Sequence, residues 1–178
     1  MATGTIPLAW GCTPAEHARR YPADDRVEEL VGGSGGSVLR MTRVVAVDAP
    51  PERVWRWVCQ IAVAPYSYDW IDNRGRRSPQ HLVPGADHVE VGQRVQVFRV
   101  TDVEPGRQWT GTTIPRVFGR TAVTYAVEPA GPGARLVCRI TTGQRGPAGW
   151  AWARLLAWGD LVMMRRQLLN LKELAERG

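Results

Sequence analysis

One short segment of the sequence concentrates side chains that could bind or transform an apolar molecule. The stretch APYSYDWIDNRGRR, residues 64–77, places Tyr66, Tyr68 and Trp70 around Asp69 and ends in RGRR. Aromatic rings can contact an apolar ligand while phenol hydroxyls fix its polar end. A carboxylate between rings loses hydration, which raises its pKa towards neutrality and suits it for general acid–base catalysis. Asp69 and Tyr68 are therefore the candidate catalytic residues.

The same segment also has a purely structural interpretation. Tyr68 and Trp70 could pack a pair of helices onto a sheet, while Asp69 and Asp72 could cap helix ends or pair with the neighbouring arginines. Ligand contact and packing can hold for different rings, so both interpretations remain open.

A cation on an apolar strand face is the second candidate. In SVLRMTRVVAVDAP, which begins at residue 37, Leu39, Met41, Val45 and Val47 alternate on one face and Arg43 shares it. A buried cation without a partner is strongly destabilising. Arg43 therefore needs a ligand carboxylate or enolate, an internal acid, a carbonyl or water, unless a one-residue bulge turns it outward.

Further candidates lie on elements that follow in the chain. Phe98, Trp109 and Tyr125 fall in predicted strands, and Met164 and Leu168 fall on the inner face of the last predicted helix, where methionine adapts to irregular ligands. Such a stripe could equally be plain core. The predicted ligand-binding residues are, in full, Arg43, Tyr66, Tyr68, Trp70, Phe98, Trp109, Tyr125, Met164 and Leu168.

No metal or cofactor site is predicted. His81, Asp87, His88 and Glu90 lie in or beside the loop-like stretch HLVPGADH, whose spacing fits neither HExxH nor a zinc ribbon. The sequence contains no GxSxG, Walker or GxGxxG motif, which argues against a hydrolase elbow and against nucleotide binding.

Composition and charge narrow the class of protein. The chain has 178 residues, the size of one domain, and no apolar run approaches the roughly 18 residues that cross a bilayer. The net charge is +6, but arginines are dense only at 74–77 and at Arg165-Arg166, so nucleic-acid binding is not favoured. Three cysteines without a CxxC pair, and no recognisable export signal, predict a cytoplasmic protein.

Hydrophobic periodicity predicts the elements that position these side chains. Residues 1–37, rich in glycine, proline and charge, form an N-terminal arm, and the domain occupies residues 38–178. After the first strand, APPERVW starts a helix with proline in its first turn. A second short helix ends at the Asn-Arg-Gly turn, residues 73–75.

The pattern then changes to strands and a final helix. RVQVFRVTDVE, RQWTGTTI, RTAVTYAVEP and ARLVCRITTG are separated by turn residues and predict an antiparallel meander. In the last of these strands Arg135, Val137 and Arg139 form a face that we expect to be largely hydrated. The amphipathic GDLVMMRRQLLNLKELAERG predicts a C-terminal helix that covers the other face, with Asp160 as its N-cap.

This order of motifs resembles a known superfamily. WGCTPAEHARRYPADD, DAPPERVWRWVCQI, YSYDWIDN and GDLVMMRRQLLNLKELAE are similar to the START-like, or SRPBCC, proteins, which are also called Bet v 1-like. More narrowly they resemble an actinobacterial group often described as polyketide cyclase/dehydrase-like. The resemblance implies an α+β helix-grip fold, with a curved antiparallel sheet wrapped around a long C-terminal helix and two short helices after the first strand. It also implies an apolar cavity between sheet and helix, but no shared catalytic motif.

Three functional hypotheses follow. The first is binding of a small hydrophobic ligand, of lipid, polyketide or aromatic type, with Arg43 or tyrosine hydroxyls holding its polar end. The alternative is a cyclase/dehydratase-like enzyme in which Asp69, Tyr68 or Arg43 handles protons and enolate charge. The third is an interaction module that uses the basic surface and the Trp-rich residues 150–158 against a protein or a membrane. Both a monomer and a homodimer fit a sheet with a free edge.

Overall fold

The fold combines one sheet with helices on both of its faces. A computed structural model describes residues 6–32, 36–114 and 119–177. In chain order the elements are β1 (Ala9–Trp10), α1 (Pro14–Ala18), α2 (Pro22–Val31), β2 (Ser37–Val47), α3 (Pro51–Cys59), a 3-10 turn (Gln60–Ala62), α4 (Asp69–Asp72), β3 (Arg94–Val95), β4 (Phe98–Glu104), β5 (Gln108–Thr113), β6 (Arg120–Ala130), β7 (Gly133–Gln144) and α5 (Gly146–Glu176).

The strands form one sheet in the order β1-β2-β7-β6-β5-β4-β3. Strands β4 to β7 pair antiparallel with their sequence neighbours, so the predicted meander is confirmed. β2 pairs antiparallel with β7 along its whole length, and β1 adds a short parallel edge. β2, the first long strand, and β7, the last strand, are therefore neighbours in the sheet.

The inner face of the sheet packs against α3 and α5. Leu39, Met41, Val45 and Val47, which alternation predicts on one face of β2, are all buried, as are Val54, Trp55, Val58 and Ile61 of α3 and the turn after it. α3 begins with Pro51 in its first turn, as predicted. α4 ends at Asn73, followed by Arg74 and Gly75 with positive φ, which confirms the predicted turn.

α5 is longer than the sequence predicts. It begins at Gly146, with Pro147 in its first turn, and runs without a break through Gly159 and Asp160. The prediction that Asp160 caps the start of this helix is therefore wrong. An internal glycine costs a helix only about 1 kcal/mol, and packing of α5 along β2 outweighs that cost.

The outer face of the sheet is buried, not hydrated. α2 packs across β6 and β7, and both Val137 and Arg139 are buried beneath the N-terminal arm. The Arg139 guanidinium lies 5.0 Å from the centre of the Tyr21 ring and donates to the carbonyl of His17 at 2.7 Å. The expectation of a hydrated face is wrong because strand periodicity does not reveal that the arm covers it.

A long helix held in the concave face of an antiparallel sheet, with two short helices after β2, is the predicted α+β helix-grip fold. That prediction is confirmed. Among the described residues no helix is long and apolar enough to cross a bilayer.

Asp24, in the first turn of α2, supplies the negative charge between the N-terminal arm and the sheet. Its carboxylate is fully buried and lies 3.7 Å from Nε of Arg139 and 3.4 Å from Nε of Arg40. We expect Asp24→Ala to lower the free energy of unfolding by roughly 3 to 5 kcal/mol, because a buried cation loses its counter-charge. Urea unfolding followed by tryptophan fluorescence measures this loss.

The neighbouring Asp25→Ala is the matched control. Asp25 pairs with Arg20 at the surface, where both side chains are more than half exposed. Its loss should cost at most about 1 kcal/mol. Equal losses in the two variants would contradict the assignment of Asp24 as the charge that holds the arm.

Candidate functional site

Three predicted ligand-binding residues lie in one row across the concave face of the sheet. Arg43 on β2 is the register partner of Cys138 on β7, and Cys138 is the partner of Tyr125 on β6. Tyr125 is in turn the partner of Trp109 on β5. Register partners on one face of a sheet have neighbouring side chains. We call Arg43, Cys138, Tyr125 and Trp109 the transverse row.

The aromatic end of the transverse row is a stacked pair. The rings of Trp109 and Tyr125 have centroids 4.9 Å apart and planes inclined by 27°. The indole Nε1 of Trp109 is buried and has no hydrogen-bond partner among the described residues. This end of the row therefore offers an aromatic surface and one unused donor.

One face of α5 covers the row. The Tyr125 hydroxyl donates to Oε1 of Gln167 at 2.5 Å and lies 3.8 Å from the sulphur of Met164. Nε2 of Gln167 donates to the Pro65 carbonyl at 2.6 Å, which ties α5 to the segment before α4. Leu168, on the same face of α5, is fully buried in the main core.

The opposite end of the row is a buried ion pair. Nη2 of Arg43 donates to Oδ2 of Asp160 at 3.0 Å and to the Ala157 carbonyl at 3.4 Å. Nη1 donates to the carbonyls of Leu8 and Thr42 at 3.1 and 3.2 Å. Of the partners that the sequence left open for Arg43, the structure contains an internal acid and carbonyls.

Burial changes the acidity of three groups in and above the row. It raises the pKa of the Asp160 carboxyl to about 6, although the Arg43 guanidinium opposes the shift. Burial also raises the pKa values of Tyr125 and Cys138, and the nearby Asp160 charge adds to both shifts. The phenol and the thiol therefore stay protonated at neutral pH, while Asp160 titrates close to it.

The transverse row is closed to solvent. Arg43, Cys138, Tyr125 and Trp109 expose at most 3% of their surface. The Asp160 side chain is 19% exposed, and the row is therefore nearest to solvent at the middle of α5.

Two further predicted residues adjoin this interior. Tyr66 is buried edge-on against Trp57, with ring centroids 6.0 Å apart, and its hydroxyl lacks a hydrogen-bond partner in the described parts of the chain. Phe98 on β4 is half-buried and packs against the main core. Both lie in the same hydrophobic cluster as Trp109 and Tyr125.

The other predicted residues, Tyr68, Asp69 and Trp70, lie on or beside α4, where Asp69 lines a separate polar cleft. The Asp69 carboxylate accepts hydrogen bonds from the Ser78 amide at 2.8 Å and its hydroxyl at 2.6 Å, which staples the following loop to α4. Asp69 and Arg166 line the cleft, whose volume is about 280 Å³. Tyr68 is half-buried, and Trp70 is 75% exposed, so the packing interpretation is wrong for Trp70.

Sequence reasoning missed Asp160, Gln167 and Cys138. Asp160, Met164 and Gln167 recur at helical spacing, which indicates that they share one side of a helix. Arg43 required an internal or external anion. The sequence therefore contained an indication of each member of the ion pair. The prediction of an N-cap at Asp160 hid this connection. Cys138 was treated as an inert buried thiol, and only the strand register places it between Arg43 and Tyr125.

Comparisons with known proteins agree with the helix-grip fold. Residues 38–176 match the family model described as "Polyketide cyclase / dehydrase and lipid transport". The search of curated proteins found no match. Among solved structures, protein MLL2253 from Mesorhizobium loti is 22% identical, with a TM-score of 0.50 over 78% of this chain and 97% of its own. Ara h 8.0201 is 10% identical, with a TM-score of 0.50 over 80% of this chain and all of its own. At these identities the likeness shows the fold.

The raised pKa of Asp160 makes a prediction about stability and pH. Because the folded state holds this proton more tightly than the unfolded state, its contribution is present below about pH 4 and is lost as pH rises through about 6. From pH 4 to pH 7 we expect wild type to lose roughly 2 kcal/mol of unfolding free energy relative to Asp160→Asn. Urea unfolding of both proteins at the two pH values measures this change, and a constant difference would contradict it.

Proposed function

The chain belongs to the polyketide cyclase/dehydrase and lipid transport family, and from that premise we propose that it binds a small apolar molecule between the sheet and α5. The ligand is of lipid, polyketide or aromatic type. Its polar end lies at the transverse row, and its apolar body lies against the residues of α5 that cover the row.

Unused polar atoms in an apolar interior carry this proposal. Nε1 of Trp109, the hydroxyl of Tyr66 and Nε of Arg43 are buried without a hydrogen-bond partner in the described residues. A buried donor without an acceptor costs about 1 to 3 kcal/mol. A ligand oxygen near the row would satisfy one or more of these donors.

The proposed ligand contacts follow from the row. The stacked rings of Trp109 and Tyr125 offer a flat surface to an aromatic or polyene body. The Tyr125 hydroxyl donates to Gln167 and still has lone pairs that can accept from a ligand hydroxyl. Met164 is half-buried beside it and can adopt several rotamers around an irregular ligand.

Ligand entry requires part of the cover to move, because the row is closed. The first half of α5 buries little apolar surface: its buried residues are Ala153 and Ala157, whereas the second half buries Leu168, Leu171 and Leu174. We therefore infer that the first half of α5 lifts while the second half stays packed. This movement separates Asp160 from Arg43, so a polar group of the ligand must replace the carboxylate beside the guanidinium.

Native mass spectrometry of the purified protein, followed by denaturing extraction, tests this function. We expect a defined apolar compound to be carried through purification and to rebind after extraction. A protein that carries no adduct, and whose melting temperature is unchanged by lipids, sterols and aromatic polyketides, would refute the proposal.

A pair of tyrosine variants locates the site. Tyr125→Phe should weaken binding of the extracted compound about two- to tenfold, because it removes one hydrogen-bonding hydroxyl from the row. Tyr21→Phe is the matched control, since Tyr21 is equally buried but lies on the outer face of the sheet. Isothermal titration of both variants measures the effect, and equal weakening would exclude the row as the site.

Catalysis on the bound molecule, of cyclase or dehydratase type, is the second candidate function. The observation that favours it is a buried carboxyl with a pKa of about 6 beside Arg43, since a general acid–base group works best near ambient pH. The carboxylate of Asp69 is already engaged by Ser78 in a separate cleft, so Asp160 is the stronger candidate of the two.

Substitution of each carboxylate distinguishes the two candidate functions. If the protein is an enzyme, Asp160→Asn should bind the extracted compound but convert it at least about 100-fold more slowly. Asp69→Asn should retain turnover. Product analysis by liquid chromatography and mass spectrometry measures both rates. Wild type that binds the compound and leaves it unchanged would restrict the function to binding.

A further inference from the structure

Four large apolar side chains lie on the outward face of α5. Trp152, Leu155, Trp158 and Val162 follow one another at intervals of three or four residues, so they form a continuous stripe along the helix. Each of them is at least half exposed. We call these four residues the outer stripe.

The outer stripe reverses the usual arrangement of an amphipathic helix. In this half of α5 the fully buried residues are the small Ala153 and Ala157, whereas the four large residues of the outer stripe face solvent. A helix on a protein surface normally turns its large apolar residues inward. Contiguous exposed apolar surface bordered by polar residues marks an interaction site.

Positive charge borders the outer stripe. Arg165 and Arg166 follow Val162 within one turn and are both exposed. Neither forms an ion pair within the described residues. The carboxylate in α5 ahead of Glu173 is Asp160, which is turned inward to Arg43. The outer face of this half-helix therefore carries apolar and positive groups and no negative one.

The segment around α4 has the same character. Trp70 and Ile71 are exposed, and the exposed Arg74, Arg76 and Arg77 follow them without an ion-pair partner in the parts of the chain that the structure describes. The acids of this segment have partners: Asp69 accepts from Ser78, and Asp72 accepts from Ser67. These hydrogen bonds hold the two carboxylates in place, and the three arginines outnumber them.

One cleft joins the two segments. Asp69 and Ser67 from the α4 side and Arg166 and Asn170 from α5 line it together. Trp70 follows Asp69 directly, and Arg166 lies one helical turn after Val162. The aromatic and basic groups of α4 thus adjoin the basic end of the outer stripe.

We propose that the outer stripe and the α4 segment together form a docking surface for an anionic lipid bilayer. Tryptophan and leucine would enter the headgroup region, and the arginines would contact lipid phosphates. A nucleic acid would engage the arginines but leave the outer stripe in water. A second copy of the same face would place an excess of arginines against an excess of arginines. An anionic bilayer matches both the apolar and the charged groups.

Vesicle flotation tests the proposal with phosphatidylcholine alone and with phosphatidylcholine mixed with phosphatidylglycerol. We expect the wild-type protein to float with the mixed vesicles, less so at high salt, and to stay in solution with phosphatidylcholine alone. Brominated lipids should quench tryptophan fluorescence. Equal binding to the two vesicle types, or none to either, would overturn the proposal.

A double variant of the outer stripe tests whether this surface contacts the bilayer. Leu155→Ser with Trp158→Ser should abolish flotation without lowering the melting temperature, since both side chains are exposed. Val91→Ser, which removes an exposed apolar side chain from a different loop, is its control and should float like wild type. Flotation of the stripe variant at the wild-type level would overturn the proposal.

A second double variant tests the contribution of Arg165 and Arg166 to bilayer binding. Arg165→Gln with Arg166→Gln should weaken partitioning into mixed vesicles roughly 30-fold, since each arginine near an anionic surface contributes about fivefold. Arg94→Gln with Arg99→Gln removes the same charge from β3 and β4 and should weaken it much less. Equal losses would indicate adsorption by net charge alone and overturn the assignment.

Sedimentation equilibrium separates the bilayer from a second copy of the chain. A monomer in solution that floats with mixed vesicles supports the proposal. A dimer that dissociates in the Leu155→Ser, Trp158→Ser variant and does not float would show that the stripe is a subunit interface, and would overturn it.

Discussion

The buried guanidinium of Arg43 is the interaction on which the placement of the helix in the sheet depends. It reaches the carboxylate of Asp160 and the carbonyl of Ala157 on α5, and the carbonyl of Leu8 ahead of β1. A fully buried cation is tolerated only when its partners are held in place. One side chain on β2 therefore connects the edge of the sheet, its central strands and the C-terminal helix.

This ion pair sets the rotation of α5, and both faces of the helix follow from it. With Asp160 turned inward, Met164 and Gln167 on the same side reach Tyr125. The approach of Arg43 to a backbone carbonyl requires small inward residues, which Ala153 and Ala157 supply. The large apolar residues of the same half-helix are then left to face outward. The closed interior and the exposed outer stripe are thus two consequences of one orientation.

Two buried arginines divide the charge of the protein between the faces of the sheet. Arg43 points inward to Asp160, and Arg139 on the neighbouring β7 points outward to the arm and Asp24. The acids of the N-terminal arm are engaged by arginines of the arm and the sheet. On the side of α4 and α5, by contrast, Arg74, Arg76, Arg77, Arg165 and Arg166 are exposed and have no ion-pair partner among the described residues. Both of our functional proposals concern this side, and they meet at the first half of α5, which covers the row and carries the outer stripe.

Sequence alone determined most elements of the domain from β2 onwards, because period-two and helical patterns depend on neighbours along the chain. The inward face of β2, the meander and the start of α3 followed from it, as did the candidacy of Arg43, Trp109 and Tyr125. The tertiary structure alone decided which of these residues meet, since strand register aligns them with Cys138 and helix rotation adds Asp160. It also decided that the arm buries Arg139, because which surface covers which depends on packing between segments distant in the chain. The pattern of apolar residues along the chain specifies which face of each segment can be buried. Only the folded structure specifies which other segment covers that face.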